Sequence, residues 1–146
     1  MKVIVCVDDQ NGMLFNQRRQ SRDQLMLRDM IEMVRDAEEK LWISHFSEKM
    51  IYQFLEKESI TEQVRPFITV TDGLLEEAEE GEFCFVEAEK LSSCTKQIET
   101  MIVYRWNRLY PADQFLDIDL SAWRLEERKE FAGSSHEIIT REVYTK

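Results

Sequence analysis

Three arginines and an aspartate near the start of the chain are the residues best suited to binding a ligand. Arg18, Arg19 and Arg22 form the only basic cluster in an acidic sequence. A guanidinium group binds a carboxylate or a phosphate through two parallel hydrogen bonds. Together with Asp23, the cluster therefore predicts a rim that recognises an anion. The alternative is a solvated loop whose positive charges offset neighbouring Asp and Glu residues.

The composition of the 146 residues excludes several classes of function. Nineteen Lys and Arg residues against 29 Asp and Glu residues give a net charge of −10. This charge argues against nucleic-acid binding, which needs clustered cations that displace counterions from phosphates. No apolar run approaches the ~18 residues of a membrane span, and two histidines are too few for a typical zinc hydrolase. We expect no nucleic acid, no membrane contact and no metal.

The cysteines point to a reducing compartment. There are three, without a CxxC pair, and Cys6 and Cys84 lie inside apolar, strand-like runs. We therefore predict buried free thiols. With no signal-peptide pattern at the start of the chain, a cytoplasmic location is expected.

Strand and helix patterns alternate along the chain and predict one α/β domain over residues 1–146. The β-branched run at residues 3–7 is typical of a central strand that is buried on both faces. Further strands are predicted at residues 41–43, 67–71, 83–86, 101–104, 123–125 and 138–144. The last two have no helix between them, which indicates an antiparallel edge on a mostly parallel sheet of seven or eight strands.

Two helices are predicted among the first strands. Residues 21–24 match a capping box led by Ser21, and apolar residues recur behind it at helical spacing. Ser47 is a candidate cap for the second helix. The polar residues 10–20 predict a loop.

The order of elements follows a known pattern in both the first and the last third of the chain. In the last third, the strand that starts at residue 101 is followed by Ala112-Asp113, by the segment 117–123 and by a closing strand. In the first third, a strand ends at Asp9, and a helix with Asp23 in its first turn follows a loop. This order resembles the dihydrofolate reductase family, which implies a three-layer fold around a mostly parallel sheet.

The resemblance implies a ligand site in a cleft between the first helix and the first strand. Asp23 stands where the family has the carboxylate that binds the pteridine ring and supports its protonation. Arg65, before Pro66, stands about where the family has an arginine that binds the glutamyl carboxylate of folate. We therefore predict that Asp23, Arg65, Arg18 and Arg19 bind a small anionic or heterocyclic ligand.

The sequence departs from the family pattern where the family binds NADPH. The Gly-Arg-x-Thr turn is replaced by a stretch that begins Ser44-His45, and the Gly-Gly pair after the fourth predicted strand is replaced by Glu87-Ala88. Glycine lets the backbone approach the cofactor closely, and a carboxylate repels a pyrophosphate. The Leu-Pro-Trp segment of the family's mobile loop is also absent. We therefore predict that Ser44, His45, Glu87 and Ala88 are degraded cofactor positions and that no cofactor binds.

These observations favour a divergent dihydrofolate reductase-like protein that has lost NADPH binding and reductase activity and acts as a small-ligand or protein-binding module. The alternative is an NADPH-dependent reductase of a pterin-like substrate. A structural subunit that forms a homodimer through a sheet edge is a third hypothesis. Fold similarity alone does not choose among them.

Overall fold

The computed structural model describes all residues from 1 to 146 and contains ten strands and four α-helices. The strands are β1 (Lys2–Val7), β2 (Gly12–Phe15), β3 (Arg18–Arg19), β4 (Leu41–Ile43), β5 (Ile68–Val70), β6 (Phe83–Phe85), β7 (Thr100–Arg105), β8 (Gln114–Phe115), β9 (Arg124–Phe131) and β10 (Ile139–Thr145). The helices are α1 (Gln24–Ala37), α2 (His45–Lys57), α3 (Thr61–Val64) and α4 (Leu74–Glu77). No helix has the length and hydrophobicity needed to cross a membrane.

Seven strands form the central sheet, in the order β5-β4-β6-β1-β7-β10-β9. The first five in this order are parallel, and β10 runs antiparallel to both β7 and β9. The prediction of a central first strand and an antiparallel end is confirmed. β1 lies mid-sheet because its β-branched residues are apolar on both faces, which suits a strand covered from both sides.

Hydrophobic residues pack on both faces of this sheet. Ile4 of β1 belongs to the cluster that includes the buried faces of α1 and α2. Val3 and Val5 belong to the second cluster, which covers the opposite face. Successive side chains of a strand point to opposite faces, so one apolar strand contributes to both layers.

Three local predictions are wrong. Residues 10–20 are not a plain loop but contain β2 and β3, joined by a turn in which Asn16 and Gln17 have positive φ angles of 49° and 61°. The cap of α1 is Asp23 rather than Ser21. α2 begins at His45 after Ser44, and Ser47 is buried inside its first turn.

All three cysteines are free thiols. Cys84 is buried, and desolvation raises its pKa to about 12, whereas Cys6 and Cys94 are half-buried. The prediction of a buried free thiol is therefore confirmed for Cys84.

An ion cluster around the buried carboxylate of Asp29 joins α1 to the C-terminal strands. The carboxylate of Asp29 accepts hydrogen bonds from the Tyr104 hydroxyl at 2.6 Å, from Lys129 Nζ at 2.7 Å and from Arg141 Nη1 at 2.7 Å. Burial raises the pKa of Asp29, but these bonds outweigh it and hold the pKa below its ordinary value. The cluster fixes α1 against β7, β9 and β10.

Tyr104→Phe should lower the free energy of unfolding by about 1–2 kcal/mol, because it removes one hydrogen bond from a buried carboxylate. Urea unfolding measures this loss. The matched control is Tyr52→Phe, since the half-buried Tyr52 lies near Arg65 and is expected to change stability by less than about 0.5 kcal/mol. Equal losses in the two variants would contradict the role assigned to Asp29.

Candidate functional site

A small cleft lies at the carboxyl ends of the neighbouring parallel strands β6, β1 and β7. Ligands of open α/β sheets bind in this position. Most of its lining is apolar, and the polar residues around it are Arg19, Gln20, Ser21 and Glu87. Its volume is about 10 Å³, which is enough for a single water molecule at most.

An ion pair crosses the mouth of this cleft, which we call the central cleft. The guanidinium of Arg19 donates from Nε to Oε2 of Glu87 at 2.9 Å and from Nη2 to Oε1 at 3.0 Å. The Ser47 hydroxyl donates to the same carboxylate at 2.6 Å. The two charged side chains are only 12% and 10% exposed. The positive charge of Arg19 and the negative charge of Glu87 therefore neutralise each other inside the protein.

The hairpin of β2 and β3 brings Arg19 to this position. Asp8, at the end of β1, accepts hydrogen bonds from the backbone of Gln10 and Gly12 and from Nε2 of Gln20, at 2.9, 2.7 and 3.0 Å. Asp8 is buried, so these bonds hold both ends of the hairpin against the sheet. The hairpin lies over the cleft as a result.

The carboxylate of Asp23 is buried and bound entirely by the protein itself. Oδ1 accepts from the backbone of Leu25 and Met26, as a helix cap, at 3.0 and 3.1 Å. It also accepts from the Ser134 backbone at 3.0 Å, and Oδ2 accepts from the Ser135 backbone at 2.8 Å. Nδ1 of His136 lies 3.0 Å from Oδ2. Burial raises the pKa of Asp23, but these bonds outweigh it and hold the pKa far below its ordinary value.

His136, in the connection between β9 and β10, covers one side of the Asp23 carboxylate. Because an ionised carboxylate only accepts hydrogen bonds, Nδ1 of His136 donates to Asp23. In the neutral ring, Nε2 then accepts from the Tyr110 hydroxyl, at 2.6 Å. The imidazole stacks on Trp106 with ring centroids 4.7 Å apart. We refer to residues 133–136, which cover Asp23, as the covering turn.

The remaining candidate ligand-binding residues form no hydrogen bond or ion pair with Asp23. Arg65 is exposed, 3.3 Å from Glu62 and close to the ring of Tyr52. Neither Asp23 nor Arg65 lines the central cleft, whereas the resemblance implied that both bind a ligand in a cleft beside the first strand. Arg18 lies outside the cleft and is exposed. Only Arg19 among the predicted ligand residues reaches the central cleft.

At each of the four predicted cofactor positions, a polar group contacts another residue of this chain. Ser44 precedes α2, and its hydroxyl lies 3.4 Å from that of Ser47. The backbone N–H of His45 donates to Asp72 at 3.0 Å. The carbonyl of Ala88 accepts a hydrogen bond from the side chain of Gln114, and Glu87 binds Arg19.

Sequence reasoning missed the covering turn. The three residues of this turn that bond to Asp23 follow it by 111 to 113 positions, and no spacing rule connects residues so far apart. The available signal was a short Gly-Ser-Ser segment between two long strands, which predicts a turn but not its partner.

The sheet order, its antiparallel end and the cleft at the carboxyl ends of the strands define an α/β protein of the dihydrofolate reductase fold. The structure is similar to dihydrofolate reductase from Enterococcus faecalis complexed with NADP(H) and RAB-propyl. The TM-score is 0.57 at 10% sequence identity, and the match covers 99% of this chain and 94% of that chain. No family model and no curated protein matches the sequence. At this identity the likeness establishes the fold.

Asp23→Asn should lower the free energy of unfolding by about 2–4 kcal/mol near neutral pH, because an amide cannot accept every hydrogen bond that the carboxylate accepts. The folded pKa is depressed, so the carboxylate stabilises the fold above the ordinary value of 3.8 and this contribution is lost as the pH falls below it. Urea unfolding from pH 5 down to pH 2 should therefore show a constant difference above about pH 4 and convergence of the two proteins below it. The exposed Asp9→Asn serves as control. A difference that stays constant down to pH 3 would contradict this assignment.

Gly133→Ala should destabilise the protein by about 1–3 kcal/mol, as overpacking does. An added Cβ would lie 2.5 Å from Oδ2 of Asp23 and 2.9 Å from the His136 carbonyl oxygen. The matched control is Gly73→Ala, whose Cβ would meet only the flexible Glu77 side chain, at 3.3 Å, and more distant atoms. Thermal unfolding compares the two variants, and an unchanged midpoint for Gly133→Ala would show that the covering turn is loosely packed.

Proposed function

We propose that this chain is a small-ligand-binding module of the dihydrofolate reductase fold that neither holds NADPH in its central cleft nor catalyses hydride transfer. The observation that carries the proposal is the ion pair of Arg19 and Glu87 across the mouth of that cleft. The pair stands where a ligand of an α/β sheet would enter.

The first argument is volume. Sites for small molecules and cofactors measure ~300–1,000 Å³, whereas the central cleft measures about 10 Å³. Met13, Met26, Met50 and Trp106 occupy much of the space that a ring would need. A cofactor could enter only if the hairpin of β2 and β3 moved away.

The second argument is electrostatic. Moving the hairpin would separate Arg19 from Glu87, and removing one partner of a buried ion pair costs about 3–5 kcal/mol. Glu87 would then present a carboxylate to a negatively charged pyrophosphate. The geometry thus supports a cleft closed to a dinucleotide.

The third argument concerns Asp23. Its carboxylate accepts hydrogen bonds from the covering turn, so a heterocycle would have to displace Ser134, Ser135 and His136 to reach it. This arrangement supports a structural role for Asp23 in place of a substrate-protonating one.

One observation favours an alternative, an NADPH-dependent reductase of a pterin-like substrate. The similarity to the E. faecalis enzyme, whose structure contains NADP(H), extends over 99% of this chain. This alternative requires the hairpin to open in solution.

The proposal predicts that NADPH is not oxidised in the presence of dihydrofolate. It also predicts no saturable rise in the emission of reduced nicotinamide, which increases when the ring moves from water into an apolar cleft. The E. faecalis enzyme is the positive control and sets the NADPH concentrations. Oxidation above background, or a saturable rise at those concentrations, would establish the reductase instead.

A double variant, Arg19→Ala with Glu87→Gly, tests whether the ion pair keeps NADPH out of the cleft or whether the binding site itself has been lost. If closure by the ion pair is the obstacle, the double variant should show a nicotinamide signal that the native protein lacks. If it shows none while remaining folded, the ion pair is not what prevents NADPH from binding, and the proposal loses the observation that carries it.

A further inference from the structure

A second, open cleft lies beside the central one. It has a volume of about 530 Å³ and is lined by Gln17, Arg18, Arg19, Gln20, Ser21, Arg22 and Phe46. We call it the arginine cleft. We infer that it binds a planar aromatic molecule that carries a phosphate monoester, which deepens the proposed function by naming a class of ligand.

The first support is a pair of arginines without an ionic partner. Seven of the eleven arginines in the sequence form an ion pair with a carboxylate. Arg18 and Arg22 form none, although the chain has an excess of ten acidic residues. Both are exposed and line the same cleft. Two uncompensated positive charges therefore face one open space.

The second support is a flat surface next to these charges. The ring of Phe46 is 40% exposed, and the guanidinium of Arg19 lies 4.4 Å from the ring centroid. Nη2 of Arg19 also donates to the Phe46 carbonyl oxygen at 3.0 Å. Because Glu87 binds the same guanidinium, Arg19 is held beside the ring, and the exposed ring of Phe46 is the platform. An aromatic ring stacks well on such a surface.

The charge of the site selects a phosphate over a carboxylate. A phosphate monoester carries about −1.5 to −2 charges at neutral pH and has three acceptor oxygens, which matches two guanidinium groups. Two carboxylates bond to residues of this cleft. Glu87 is neutralised by Arg19, and Asp8 is buried beneath Gln20, where it accepts hydrogen bonds from Gln10, Gly12 and Gln20. The volume lies within the ~300–1,000 Å³ range of small-molecule sites.

Flavin mononucleotide and riboflavin are suitable probes, since they share one fluorescent ring and differ only in the phosphate. We expect flavin mononucleotide to bind saturably, and riboflavin and inorganic phosphate to bind at least about tenfold more weakly, because each lacks one half of the recognition. Raising the salt concentration should weaken the binding.

Variants locate the binding. Arg18→Gln and Arg22→Gln should each weaken it about tenfold or more, and Phe46→Ala should weaken it by removing the ring of the platform. The matched control is Arg35→Gln, which removes the same charge from an exposed arginine that forms no ion pair and lies outside this cleft. It should bind the probe as the native protein does.

Three results would overturn the inference: no binding of flavin mononucleotide, equal binding of riboflavin, or an equal loss in Arg35→Gln. These results leave the proposed function untouched, because that proposal fails only through NADPH oxidation, a nicotinamide signal in the native protein or a silent double variant. NADPH that bound only through a phosphate in the arginine cleft would leave nicotinamide emission unchanged. Arg22→Gln would abolish that binding.

Discussion

A buried carboxylate needs hydrogen-bond donors, and in this protein that requirement fastens the two ends of the chain together. Asp23 is 1% exposed, and an ionised group in that setting is stable only if it is fully paired. The first turn of α1 supplies two donors, as it would for any capping residue. The covering turn supplies the others. The position of the β9–β10 connection, and of His136 on Trp106, follows from this one charge.

The ion pair of Arg19 and Glu87 obeys the same rule at the central cleft. Glu87 follows the central strand β6, where the sheet is covered by α2, and it needs a cation because it cannot reach water freely. Arg19 supplies it from the hairpin. Asp23 and Glu87, the two carboxylates at the predicted ligand site, thus find their hydrogen-bond donors within the protein's own chain. The fold is retained, but its central cleft is occupied by the protein's own side chains.

The sheet could be predicted from the sequence because the residue patterns that specify its strands lie within short segments. The run at residues 3–7 specifies a central strand by itself, and the helical spacing behind Asp23 specifies α1 by itself. The hairpin of β2 and β3 was missed because its apolar run, Met13 to Phe15, is short and is flanked by polar residues. Its turn depends on positive φ angles at Asn16 and Gln17, and of these two residue types only Asn favours that region. The contact between Asp23 and the covering turn spans over a hundred residues, so no local pattern encodes it. Arg19 and Glu87 were each singled out, but their pairing depends on the folded hairpin.

The closed cleft and the cationic character of the arginine cleft have a common cause. If Arg19 did not bind Glu87, that carboxylate would leave a negative charge beside Arg18 and Arg22 and weaken their attraction for an anion. Instead, Arg19 neutralises it and at the same time stacks on Phe46. One guanidinium thus lines both clefts: it pairs with Glu87 in the central cleft and packs on Phe46 in the neighbouring one. The proposed ligand site therefore lies on the outer side of the hairpin and not at the ends of the strands.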